Sequence, residues 1–167
     1  MPVEKLTGLN DVPWAQLQDA YGSAGDVPNQ ILALIAEDAD ARNAAFEALF
    51  SKIWHQGTIY EATTHALPFL IEILRTGSCP DRDSVVLLVA CIIAGHGYWE
   101  IHKSNVLTNP FTHRPVANPA DLESKLAEEH IVVNAVRTIG SEAVPLFSTG
   151  ISQSRWKGPQ GAGASAL

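Results

Sequence analysis

Residues Asp40–Arg75 read DARNAAFEALFSKIWHQGTIYEATTHALPFLIEILR, and the rest of the chain is interpreted outward from them. Phe46, Leu49, Phe50, Ile53 and Trp54 fall at i, i+3, i+4, i+7 and i+8, on one face of a helix that Asp40 can cap. His55-Gln56-Gly57 stops this helix, with Gly57 suited to the left-handed position that follows a helix end. Thr58-Ile59-Tyr60-Glu61 has the spacing of a capping box, which opens a second helix. Ala66, Leu67, Phe69, Leu70, Ile71, Ile73 and Leu74 make that helix apolar on most sides. His65, Pro68, Glu72 and Arg75 form one narrow polar stripe. Two consecutive helices, the second covered around most of its circumference, point to layered helix-on-helix packing.

The flanking segments fit the same pattern. Asp11-Val12-Pro13 opens a short helix to about Tyr21, and Asp26-Val27-Pro28 opens another that runs to about Glu37. Ser84–Gly95 holds no charged residue and reads as a central helix, although periodicity alone leaves a buried strand open. From His96 to Ala120 the periodicity fails. Pro110, Pro115 and Pro119 together with Asn105, Asn109 and Asn118 read as a long loop, and Gly95 and Gly97 argue against helix at its start. Asp121 caps a long helix that Gly140 ends, and Ser141 caps a last short one. The expected helices are 26–37, 40–54, 59–75, 82–95 and 121–139. Residues 1–150 form a single helical domain. Residues 151–167 have the Ser, Gly, Gln and Ala content of a flexible tail, with Arg155-Trp156-Lys157 as a small basic-aromatic patch in it.

Three helices start with an aliphatic residue and proline: Val27-Pro28, Leu67-Pro68 and Val144-Pro145. The prolines lie 40 residues apart (28 to 68) and then 77 apart (68 to 145), close to twice the first interval. A period near 40 residues belongs to the range of paired-helix repeats. Trp14–Leu74 also resembles a family of bacterial HEAT-repeat proteins. The resemblance is carried by Ala20-Tyr21-Gly22-Ser23-Ala24, Asp26-Val27-Pro28, Ile53-Trp54-His55-Gln56-Gly57-Thr58, Tyr60-Glu61-Ala62-Thr63 and Pro68-Phe69-Leu70. It implies an all-α fold, a short HEAT-like α-solenoid of antiparallel helix pairs. It also implies a non-catalytic role of unassigned detail: binding another protein, as an adaptor or an immunity-type protein. Relatives usually continue with further repeats where this chain has Ser152–Leu167.

Composition narrows the function further. The chain has 167 residues, 11 basic and 18 acidic, for a net charge of −7. That balance opposes nucleic acid or an anionic membrane surface as partner. Met1–Asn10 contains Glu4 and Lys5 and no apolar run, so it does not read as a signal peptide. The longest apolar run, Val85–Ala94, falls far short of the roughly 20 residues that span a bilayer. A soluble, cytoplasmic protein is the simplest expectation. Cys79 and Cys91 form no metal-knuckle pattern. The histidines show no His-Glu-x-x-His spacing, so no metal and no cofactor is expected.

Two polar clusters remain. His55, Gln56, Tyr60, Glu61 and His65 surround one interhelical turn. They read as a recognition patch, or as an acid–base pair if the chain is a small enzyme. The plainer reading gives His55 to a helix C-terminus and Glu61 to the capping box. His96–His102 carries His96, Glu100 and His102, the second place where an enzyme would find its groups. Trp99 is a candidate exposed anchor. Phe147, in the last helix, marks a C-terminal end where self-association is expected.

Overall fold

A computed structural model describes residues 6–107 and 118–148; the expected tail from 151 and most of the 108–120 connection lie outside them. The described chain is mostly helical. Its entry differs from the expected 11–21 helix: there are two 3₁₀ turns, Leu9–Asp11 and Trp14–Gln16, and then a small antiparallel pair, β1 (Gln18–Asp19) and β2 (Gly22–Ser23). Local side-chain bonds explain the difference. Asp19 Oδ1 accepts from the Tyr21 amide at 2.8 Å and closes a turn in place of helix, and Gly22 sits at φ 127°, outside helical space.

Helix α1 (Val27–Ala33) is shorter than expected. Its last amides reach carbonyls three residues back, and Arg42 then takes the Ala36 and Glu37 carbonyls at 2.8 and 2.7 Å, ending the helix before Glu37. Helix α2 (Ala39–Lys52) is capped by Asp38, which accepts from the Asp40 amide at 3.0 Å; Asp40 is inside the first turn and is not the cap. Leu49 and Ile53 are fully buried, whereas Phe46, Phe50 and Trp54 are half-buried and stack on one another at 5.4 and 4.5 Å.

Between α2 and the next helix lies a hairpin that the sequence did not suggest: β3 (Trp54–His55) and β4 (Thr58–Ile59), joined by Gln56-Gly57. Both turn residues have positive φ, 51° and 93°, as a two-residue type I′ turn requires. Thr58 belongs to this hairpin and Glu61 is the first residue of the next helix, so the two do not form the expected capping box; its members are Tyr60 and Thr63. Helix α3 (Glu61–Thr76) starts after Tyr60, whose amide donates to Thr63 Oγ1 at 2.9 Å, while the Thr63 hydroxyl donates to the Ile53 carbonyl at 2.6 Å. Gly77, at φ 66°, ends it. The expected polar stripe is where it was placed: His65, Pro68 and Arg75 are exposed and Glu72 is half-buried.

Helix α4 (Arg82–Ile93) settles the strand-or-helix alternative in favour of helix. The chain then departs from the expectation again. The expected 96–120 loop contains helix α5 (Tyr98–Leu107), which starts directly after Gly97. Helix α6 (Pro119–Gly140) is capped by Asn118, not Asp121, and is followed by a 3₁₀ turn (Ser141–Ala143) and α7 (Val144–Phe147). The glycines that look like breakers are points of close approach. A β-carbon on Gly95 would lie 2.5 Å from Ile59 Cγ2, and one on Gly140 would lie 2.4 Å from Ile93 Cγ1. At Gly95 this lets His96 pair in parallel with Thr58, through His96 N–H to the Gly57 carbonyl and Ile59 N–H to the His96 carbonyl, both 2.9 Å.

Helices α1 and α2 pack on each other, as do α3 and α4. In addition α1 packs on α3, α2 on α4, and α6 on α3, α4 and α5. One apolar core runs through all of these layers, from Leu6 to Ala143, with Leu67, Leu70, Ile73, Leu88 and Ile92 completely enclosed. Each such residue contributes roughly 1.5–3 kcal/mol of burial. Among the described residues no helix is long and apolar enough to cross a membrane.

Candidate functional site

The hairpin fixes the start of α3, and α5 folds back beside it on α6. A cleft of about 580 Å³ opens where these elements meet. Gln18, Ile59, Tyr60 and Glu61 form one wall. Trp99 from α5 and Lys125, Glu128, Glu129, Ile131 and Val132 from α6 form the other. Positions more than 100 residues apart in the chain are thus brought to one surface depression.

Each wall is held by identifiable bonds. The Thr58 hydroxyl donates to the His55 carbonyl at 2.6 Å, so the Tyr60 hydroxyl, 2.6 Å from Thr58 Oγ1, is the donor in that second contact. Burial pushes the Tyr60 phenol above its ordinary 10.0, and it stays protonated at neutral pH. Opposite it, the Glu129 carboxylate accepts from the Trp99 amide at 2.8 and 3.0 Å and from the Glu100 amide at 3.2 Å. A side chain of α6 therefore caps the N-terminus of α5, where the helix dipole favours negative charge. Gly97 makes this possible, because a β-carbon there would sit 2.2 Å from Glu129 Oε2. Lys125 Nζ lies 4.7 Å from the centre of the Trp99 ring, a cation–π contact inside the cleft.

The residues singled out from the sequence divide between this cleft and other places. Tyr60, Glu61 and Trp99 line it. His55 is adjacent, with Nδ1 3.1 Å from the Ser51 carbonyl and its ring edge-on to Tyr21 at 5.4 Å, so its local role at the end of α2 is satisfied. Gln56 is the exposed turn residue of the hairpin. His65 points the other way and meets Trp14 edge-on at 6.5 Å. Phe147 packs half-buried against the core at the far end of the molecule. Lys125, Glu128, Glu129 and Ile131 were not anticipated. Their signal was a Lys and two Glu at helical spacing on α6, and only the position of α5 makes that face part of a site.

A second, smaller pocket of about 210 Å³ lies behind Gly97. His96 and Glu100 line it, together with Glu129, His130 and Arg137. Glu100 is held below the ordinary carboxyl range, first by its hydrogen bond from Lys103 at 2.7 Å, and Glu129 is already engaged by the α5 amides. Among the described residues no group of three or more His, Cys, Asp or Glu is placed to hold a metal ion. Burial raises the thiol pKa of Cys79, whose Sγ donates to the Leu34 carbonyl; burial also raises that of Cys91. Neither is an activated nucleophile. No family model matches the chain, and no curated protein or solved structure matches it.

Proposed function

We propose that this chain is a non-catalytic module of HEAT-like helix pairs that binds another protein, as an adaptor or an immunity-type protein does, with the Tyr60–Trp99 cleft as its contact. The observation that carries the reading is the convergence of Tyr60, Glu61 and Trp99 in one open cleft walled by α3, α5 and α6. Aromatic side chains with one apolar face and a polar edge are the usual anchors of protein interfaces. The paired contacts α1–α2 and α3–α4, with α1 on α3 and α2 on α4, support stacking of antiparallel pairs as in an α-solenoid. The proline spacing adds nothing to this, because Pro28 and Pro145 stand in the first turns of α1 and α7 whereas Pro68 lies inside α3 and not at its start, contrary to the expectation of three equivalent helix starts. The test is capture from extract of the source cell on the immobilised wild-type chain and on Trp99→Ala. The reading expects a partner that the wild type retains and Trp99→Ala loses at unchanged melting temperature. Equal capture by both would overturn it.

A second reading, a small acid–base enzyme, draws on the pocket that joins His96 and Glu100 with His130. It is the weaker reading, because both carboxylates there are occupied: Glu100 by Lys103 and Glu129 by backbone amides. Turnover of a panel of ester and phosphoester substrates that His130→Gln abolishes would favour it over binding.

A further inference from the structure

Resting on the protein-binding reading above, we propose that the cleft takes an arginine side chain of the partner protein, its guanidinium over the Trp99 indole and its N–H groups on Glu61 and Glu128. The charge of the site comes first. Glu61, Glu128 and Glu129 face Lys125, an excess of negative charge in a chain that is itself at −7. Among the described residues the ion pairs are Arg42–Asp81, Lys52–Asp26, Arg75–Glu142 and Lys103–Glu100, and none neutralises the cleft. Glu129 is committed to capping α5. Glu61 makes only a long contact, 3.3 Å from the Gln18 amide, so it keeps acceptor capacity, as does Glu128 on the exposed face of α6.

The second observation is independent of the carboxylates. The Trp99 ring already carries a cation, the Lys125 ammonium at 4.7 Å, so its face is presented to positive charge. A guanidinium suits this place better than an ammonium. It is flat, stacks on an indole, and presents a fork of donors to carboxylates while lying on the ring. It would displace Lys125. Ile131, 71% exposed at the rim, offers an apolar contact to residues flanking the arginine, which favours a polypeptide over a free small cation.

The test is isothermal titration of the full chain with Ac-Leu-Arg-Leu-amide, the Lys and Glu analogues of that peptide, and agmatine. The arginine peptide should bind more tightly than the lysine peptide and agmatine, and the glutamate peptide should not bind. Glu61→Gln with Glu128→Gln should weaken the arginine peptide about tenfold, in line with the loss of two exposed charge pairs. Lys125→Met should tighten it, because the competing cation is gone. Melting temperatures of the variants control for folding. The inference is overturned by weaker binding in Lys125→Met, by agmatine binding as well as the peptide, or by no arginine-peptide binding up to about 1 mM. If Trp99-dependent capture of a partner persists without arginine binding, this inference fails and the protein-binding reading stands. Capture that ignores Trp99→Ala takes down the reading itself.

Discussion

Gly97→Ala should loosen the cleft from a position that does not line it. The added methyl would lie 2.2 Å from Glu129 Oε2, 2.6 Å from its Cδ and 2.8 Å from its Cβ. Rotating the carboxylate away relieves only the first two contacts. The third requires α5 and α6 to move apart. Moving the carboxylate breaks its contacts with the Trp99 amide, at 2.8 and 3.0 Å, and the Glu100 amide, at 3.2 Å. Losing a charged cap on a helix start costs about 1–2 kcal/mol, and residual overpacking adds roughly another 1 kcal/mol. For a chain of this size the melting temperature should fall by roughly 4–12 °C. The assay is a double-mutant cycle with Glu129→Ala, read by thermal denaturation followed by circular dichroism. Glu129→Ala alone loses the cap but also removes most of what the new methyl would strike. The double variant should therefore be more stable than the sum of the single effects, by at least about 0.5 kcal/mol. Strict additivity would refute the close-approach explanation of Gly97, as would a Gly97→Ala protein as stable as wild type.

Gln56 holds φ 51° in the hairpin turn, where a residue with a β-carbon is strained and asparagine is better tolerated. Gln56→Asn should raise stability by about 0.5 kcal/mol in denaturant titration; a loss would mean that the turn is not type I′. Tyr60 has a phenol pKa pushed above 10.0 by burial, so folding favours its protonated form. The stability it supports is fully present below pH 10 and is lost as pH rises past that point, because the unfolded chain ionises first. Tyr60→Phe should therefore be about 1 kcal/mol less stable than wild type at pH 8, from the lost bond to Thr58, with the gap narrowing as the pH rises above 10. A gap that is constant with pH contradicts the assignment. Self-association through the C-terminal end is best tested at Val144, which is 56% exposed; Phe147 packs on the core. Light scattering over a concentration series should show association in the wild type and none in Val144→Asp, and a wild type that stays monomeric throughout removes the idea.

The helices that bury a face were legible because burial leaves a periodic trace. Leu67, Leu70, Ile73 and Leu74 in α3, and Leu88 and Ile92 in α4, recur at helical spacing, and all of them sit in the core. The hairpin left no such trace. Two-residue strands are too short for an alternating pattern, and their evidence is a pair of positive-φ residues, Gln56-Gly57, that also fits a helix stop. Helix α5 was hidden for a different reason. Its sequence, Tyr98–Leu107, has little amphipathic pattern, and Gly95 and Gly97 look like breakers. Both glycines serve tertiary contacts, one with Ile59 and one with Glu129, and the cap of α5 comes from a residue about thirty positions away on α6. Capping is read from sequence only when it is local. The same limit applies to the cleft. Tyr60, Glu61 and Trp99 stood out as residue types, but Lys125 and Glu128 join them only through the packing of α6 on α3 and α5. One support of that geometry is the close approach of Gly97, which reads as a helix breaker, to the Glu129 carboxylate, which no local pattern singles out.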